Sequence, residues 1–153
     1  MDWFVRAFIR SSLAWFAAGI ALGLAMAIYP PWVVYRPAHA HMNVVGFLTM
    51  MVFGVGYQLL PRLFGHAIHS RALAIAHWWL TNVGMAVLIT GFLLAPHYGR
   101  RSAPLTAAGG VLFSLGAFSF VYNLWRTFSA AEARQRERRK GSSSGPALPT
   151  LGE

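Results

Sequence analysis

RPAHAHMNVVGFLTMMVFGVGYQLLPRLFG, residues 36–65, is the stretch that decides the fold. It is apolar over the length of a membrane span, and it begins with two histidines and an asparagine, His39, His41 and Asn43. Since a bilayer core requires about 20 apolar residues, the stretch predicts a transmembrane helix. An ionisable imidazole at the edge of hydrocarbon is costly unless it is hydrated, hydrogen-bonded or bound to a metal. The two histidines therefore mark a candidate site.

The composition around this stretch is that of a membrane protein. The chain is 56% hydrophobic and 11% charged, with a mean hydropathy of +0.48, which lies outside the usual range for soluble domains. It contains no cysteine, which excludes disulfides, thiolate-bound clusters and covalent attachment of a prosthetic group through Cys-x-x-Cys-His. Histidine and methionine are the soft metal ligands that remain.

The net charge of +9 does not indicate a nucleic-acid partner. The basic residues lie at the ends of apolar runs and in the last quarter of the chain, which is the pattern of membrane topology rather than of a groove for nucleic acid. The four acidic residues all lie outside the apolar runs. A proton relay built on buried carboxylates is therefore not expected.

Hydropathy predicts an all-α fold, an integral membrane bundle of four antiparallel transmembrane helices, because each span must satisfy its backbone internally. The predicted spans are residues 12–29, 39–60, 72–95 and 105–125. Residues 1–128 would form the transmembrane domain. Residues 129–153 would form a basic and then flexible cytoplasmic tail.

The first span carries the small-residue spacing of Gly19 and Gly23, which lets another helix approach closely. Packing within this chain is favoured over a dedicated dimer seam. A signal peptide is the competing interpretation, because Arg6 and Arg10 precede the apolar run and residues 25–27 have a small-x-small form. We favour a retained helix, since the run is long for a signal core.

The basic residues near the span ends predict the orientation. The inner surface would carry Arg6, Arg10, Arg62, Arg71, Arg126 and the terminal cluster, and the outer surface Arg36, Arg100 and Arg101. This distribution predicts a multi-pass protein of a bacterial-type inner membrane with both termini cytoplasmic. By topology alone, His97 is then the other histidine that could join His39 and His41 in the outer half.

The remaining histidines have plainer explanations. His77 is expected near the opposite membrane surface from His41, beside two tryptophans, and we favour a structural role for it over metal ligation. His66 and His69 are expected in a hydrated loop. Along residues 39–60, a helical stripe from Asn43 to Tyr57 could accept either a large flat ligand or a neighbouring helix, and its glycines favour the helix.

The histidine end resembles a known ligand helix. Arg36 to Asn43, followed by a glycine-studded helix that ends Tyr57-Gln58-Leu59-Leu60-Pro61-Arg62, is similar to the haem-ligand helix of subunit I of the haem-copper oxidase superfamily. The nitric oxide reductases and the C-type oxidases are the branches that it resembles most. In that family an outer-side histidine, in a His-x-Asn or Arg-Pro-x-His setting, binds low-spin haem b.

The resemblance implies haem b as the cofactor. His41 matches His-x-Asn with Asn43, and His39 matches Arg-Pro-x-His with Arg36. We favour His41 as the axial ligand of the haem iron, with His39 supporting it and Arg36 paired with haem propionates. The second axial ligand could be His97, His39, a histidine of a second copy, a separate subunit, or none.

The resemblance also has limits that bear on function. The His-Pro-Glu-type copper motif and the facing histidine pair of the family have no counterpart in these 153 residues. We expect the chain not to be catalytic alone. The expected function is electron transfer, haem handling or diatomic gas sensing, in a homodimer or with a partner respiratory subunit. The alternative is a cofactor-free structural or assembly subunit of a respiratory membrane complex.

Overall fold

The computed structural model describes residues 1–143, and the side chains up to residue 141. All the regular elements of this part of the chain are helical. Five α-helices are joined by 3₁₀ segments at Pro30–Tyr35 and Gly99–Ser102 and by a π-helical segment at Met42–Thr49. The α-helices are α1 (Trp3–Ile28), α2 (Arg36–His41), α3 (Met50–Leu63), α4 (Arg71–Tyr98) and α5 (Ala103–Ser143).

Among the described residues, three helical stretches are long and apolar enough to cross a membrane, judged by length and composition. They are Trp3–Ile28, Pro30–Leu63 and Arg71–Gly141. The sequence predicts four spans, and the two counts differ because α4, the following 3₁₀ turn and α5 run on without a non-helical residue. The third and fourth predicted spans therefore lie within one helical stretch, which reverses direction at the 3₁₀ turn Gly99–Ser102.

The observed helices extend beyond the span boundaries predicted from hydropathy, because polar residues continue the helices at their ends. The first helix begins at Trp3 rather than near residue 12, and Asp2 just before it pairs with Arg71 at 2.6 Å. Pro30 follows its end, as the sequence predicts. Pro61 lies inside α3 instead of ending it. At the other end α5 carries the basic segment as helix to Ser143, and most of the predicted flexible tail lies outside the described residues.

Helix α1 packs antiparallel against the stretch from α2 to α3. A Cβ on Gly19 would lie 2.7 Å from Asn43 Nδ2, whereas one on Gly54 would lie 3.1 Å from Phe8 Cβ, so the two stretches run in opposite directions. The small residues of α1 and α3 are thus used for packing within the chain.

This contact corrects one interpretation of the sequence. The stripe from Asn43 to Tyr57 does not face an open space for a flat ligand, because α1 covers it. The Phe47 ring stacks on Phe16 with centroids 4.2 Å apart, and Tyr57 contacts Phe4 at 5.6 Å. The alternative, a neighbouring helix admitted by glycines, is what the structure has.

Helices α4 and α5 form a second antiparallel pair. The chain turns at Gly99, whose φ of +56° is a left-handed conformation that favours glycine. Below the turn the two backbones meet at Gly84 and Gly109, and a Cβ on Gly109 would lie 2.6 Å from Leu88 Cα and 2.7 Å from Gly84 O. Such close approach requires the absence of a side chain.

Substituting Gly109→Ala tests this pair. A Cβ there meets backbone atoms that cannot move aside, so we expect a loss of about 1–3 kcal/mol in the free energy of unfolding. Unfolding of the purified protein in detergent micelles, followed by circular dichroism, measures it.

Gly110→Ala is the matched control, because a Cβ at the adjacent glycine meets nothing within 4 Å. That substitution should leave stability unchanged or raise it by up to about 1 kcal/mol, since alanine has the higher helix propensity. Equal losses in the two variants would contradict the α4–α5 contact.

Candidate functional site

His39 joins α2 to α1. Its Nδ1 lies 2.8 Å from the Gly19 carbonyl oxygen, which can only accept, so Nδ1 carries the proton. The ring lies over α1, where a Cβ on Gly23 would be 2.7 Å from Cε1. Asn43, one helical turn further on, donates from Nδ2 to the His39 carbonyl oxygen at 2.8 Å. The imidazole of His39 is therefore turned toward the neighbouring helix.

His41 has a different environment, although it is two residues away. Its Nδ1 donates to the Pro37 carbonyl oxygen of its own helix at 2.8 Å, and its half-buried ring lies 4.6 Å from that of Phe92 on α4. Within residues 1–143 no hydrogen bond reaches Nε2. Histidines that bind metals through one nitrogen usually donate the other N–H to a carbonyl or carboxylate, which fixes the tautomer. His41 already has that arrangement.

A π-helical segment begins directly after His41. It spans Met42–Thr49, and Thr49 donates from Oγ1 to the Val44 carbonyl oxygen at 2.9 Å. Segments of this kind are rare and occur often at functional sites, because the wider turn shifts the side chains that precede it relative to those that follow. The sequence analysis missed this feature, since the residues of the segment read as ordinary membrane helix.

His97 lies at the same end of the molecule as His41. Phe92, which contacts the His41 ring, precedes it on α4. The exposed His97 ring bonds through Nε2 to the Tyr35 hydroxyl at 2.9 Å. Tyr35 was not identified from the sequence, and it occupies Nε2, one of the two ring nitrogens of His97.

A shallow groove of about 630 Å³ adjoins this end of α4. It is lined mainly by apolar residues of α4 and α5, from Phe92 to Ala107, with Arg100 among them. Phe92 is thus shared between the groove and the surroundings of His41. Arg36, another exposed cation, opens α2 close to His41 in sequence.

His77 lies elsewhere, in a buried aromatic cluster. The ring is fully buried and bonds through Nδ1 to the Tyr57 hydroxyl at 3.1 Å, while its Nε2 has no partner in the described residues. The rings of Phe53, Phe8 and Phe120 surround it at centroid distances of 4.5, 4.7 and 5.5 Å. Tyr57 lies near the far end of α3 from His41, so the two histidines belong to different regions. The Tyr57–His77 bond was not foreseen.

The site histidines do not converge into a metal cluster. No group of three or more histidine or acidic side chains is placed to hold a metal ion in the described part of the chain. What the arrangement offers at His41 is one oriented imidazole with a free nitrogen. A haem iron requires one or two such nitrogens from the protein, whereas a structural zinc requires four ligands. The residues present therefore fit an axial haem ligand.

Sequence comparison identifies the family. The family described as cytochrome c and quinol oxidase polypeptide I matches residues 4–141. The chain belongs to this family. The resemblance drawn from Arg36 to Arg62 is thereby confirmed at the level of the family.

Curated relatives agree with this assignment. The chain is 27% identical over 82% of its length to the cbb3-type cytochrome c oxidase subunit CcoN1 of Stutzerimonas stutzeri. It is 28% identical over 65% of its length to cytochrome c oxidase subunit 1 of Rhodobacter capsulatus. A cytochrome c oxidase subunit 1 homolog of Agrobacterium tumefaciens is 28% identical over 80%. The aligned parts cover 33%, 23% and 26% of those proteins, so the chain spans a third of their length or less.

The buried Tyr57–His77 bond can be tested by Tyr57→Phe. The substitution leaves both nitrogens of a fully buried imidazole without a partner, which should lower the free energy of unfolding by about 1–3 kcal/mol. Thermal unfolding in micelles measures the loss.

Tyr35→Phe provides the control, because it removes the same kind of hydroxyl–imidazole bond at an exposed position. Water replaces that bond, and the loss should stay within about 0.5 kcal/mol. If Tyr57→Phe costs no more than Tyr35→Phe, the buried bond contributes nothing to stability.

Proposed function

We propose that this chain crosses a bacterial-type inner membrane four times, with both termini cytoplasmic, and holds haem b near the outer surface for electron transfer. His41 would supply the axial nitrogen. The observation that carries the proposal is the half-buried His41 ring beside Phe92, whose Nδ1 bonds to the Pro37 carbonyl oxygen of its own helix at 2.8 Å and whose Nε2 has no hydrogen-bond partner in the described residues. Membership of the family, whose matching region spans residues 4–141, supports haem as the cofactor.

The four-pass arrangement is supported by the antiparallel packing of α4 on α5. Gly84 and Gly91 on α4 meet Gly109 and Thr106 on α5, so the two helices run in opposite directions on either side of the turn at Gly99. In this arrangement both α4 and α5 would cross the lipid bilayer. The basic residues then favour the cytoplasmic side for both termini.

Neighbouring residues would orient the haem and shield it. The Pro37 carbonyl would hold the imidazole plane and make Nε2 a better electron donor. Phe92 would exclude water from one side of the His41 ring, and the apolar groove that it lines would suit a flat ligand. Arg36 and Arg100 would neutralise propionates. When bound, haem b supplies a one-electron couple at its iron.

We propose that the second axial ligand comes from outside the described residues. The His39 ring packs against α1, where a Cβ on Gly23 would lie 2.7 Å from its Cε1, and the exposed His97 ring is bonded through Nε2 to Tyr35. A second copy of the chain related by twofold symmetry could supply its own His41, and a partner respiratory subunit could supply another histidine. An open second position would instead suit diatomic gas sensing or haem handling.

The ligand assignment predicts different spectra for two neighbouring variants. After expression with ample haem, His41→Ala should lose the Soret band, because the axial nitrogen is gone. His39→Ala should keep the band, because His39 bonds to α1 instead. Absorption spectra of the purified, dithionite-reduced proteins measure both.

Two results would contradict the proposal. One is a Soret band that persists in His41→Ala, and the other is a band lost from a folded His39→Ala. Carbon monoxide then separates the roles: reduced bands that it leaves unmoved indicate a six-coordinate electron-transfer haem, and a shifted Soret band indicates an open site. A wild-type protein without haem bands would favour the cofactor-free assembly subunit.

A further inference from the structure

A basic groove lies at the opposite end of the molecule from His41. It is formed where α3 ends and passes beside the polar part of α5, and it encloses about 300 Å³. Arg62 and His66 line it from the side of α3 and its loop, and Arg134 and Arg138 line it from α5. The proposed haem site does not use any of these residues.

A ring contact joins the two walls of the groove, and a side-chain bond within α3 orients Arg62. The Phe64 ring packs on Phe128 of α5 with centroids 4.5 Å apart. In the amide orientation that satisfies both groups, the Gln58 side-chain oxygen accepts from Arg62 Nη1 at 2.9 Å and Nη2 at 2.7 Å. The groove is therefore shaped before any ligand enters it.

The lining is positively charged. Three arginines face the groove, and no acidic side chain lines it in the described part of the chain. The two acids of this part of α5, Glu132 and Glu137, are not among the lining residues, and Glu132 lines a different groove together with Arg136 and Arg139. Arg134 and Arg138 are one helical turn apart and so share a face of α5. Guanidinium groups in this arrangement bind phosphate oxygens with two hydrogen bonds each.

The groove is also amphipathic. Leu63 and Phe64 line it and are exposed, and they mark the end of the apolar stretch Pro30–Leu63. Apolar surface on the membrane side and arginines on the aqueous side match the two parts of a phospholipid. Basic pockets between membrane helices bind anionic headgroups for this reason.

We propose that this groove binds the headgroup of an anionic phospholipid. The phosphodiester lies against Arg134 and Arg138, with Arg62 on the facing wall, and the acyl chains leave along Leu63 and Phe64 into the bilayer. The bound lipid then bridges α3 and α5. Without it, the contact between the Phe64 and Phe128 rings connects the two helices at this end.

The test uses Arg134→Gln/Arg138→Gln with Arg136→Gln/Arg139→Gln as the matched control. Both double variants remove two charges from the same exposed part of α5, but the control residues line the other groove. The full-length proteins, purified in detergent micelles, are titrated with phosphatidylglycerol, and bound lipid is measured by native mass spectrometry. Phosphatidylcholine and inorganic phosphate serve as separate arms.

We expect phosphatidylglycerol to bind the wild-type protein and the control alike, and the Arg134/Arg138 variant at least about tenfold more weakly. Equal weakening in both double variants would mean general attraction to a basic helix and would overturn the proposal. Binding of phosphatidylcholine as tight as that of phosphatidylglycerol would also overturn it. Displacement of the lipid by an equal concentration of inorganic phosphate would assign the groove to a soluble anion. Circular dichroism confirms that each variant is folded.

Discussion

A polar group in a bilayer core is costly unless it has a hydrogen-bond partner within the protein, and this constraint shapes the arrangement of the helices. It explains why His39 reaches the Gly19 carbonyl and why Tyr57 meets His77. It also fixes the loop before α4. Asn123 of α5 accepts from the Ser70 N–H at 2.9 Å and donates to the Ser70 carbonyl at 2.8 Å, so a buried amide closes the loop onto the bundle.

The same constraint acts differently on the two histidines of the family motif, of which the sequence analysis favours His41 as the ligand. His39 bonds through Nδ1 to a carbonyl of another helix, and its ring packs against Gly23 of α1. His41 meets its need with a carbonyl of its own helix, and it retains a free nitrogen at a half-buried position. The His39 ring packs between two helices, and His41 is the ligand that we propose.

Much of the fold could be predicted from the sequence because membrane helices have a strong compositional signature. The sequence predicted the apolar helices, the end of α1 before Pro30 and the packing of another helix on the glycines of α1. The family was recognisable from Arg36 to Arg62. The sequence did not predict that helical structure continues through the turn at Gly99. It also did not predict that α1 covers the stripe from Asn43 to Tyr57. Both features depend on contacts between helices. The π-helical segment after His41 has no local sequence signature either. Within this segment, Gly46 packs against the Trp15 side chain of α1. The site residues remain predictions from motif and geometry.

The most direct test of the central claim replaces the imidazole of His41 from solution. His41→Gly should bind haem poorly, and added imidazole should restore the Soret band, because the free ligand fills the space and bonds the iron. His39→Gly should show no such dependence on imidazole. If imidazole fails to restore the band in folded His41→Gly, or restores a band that was lost only in His39→Gly, His41 is not the axial ligand.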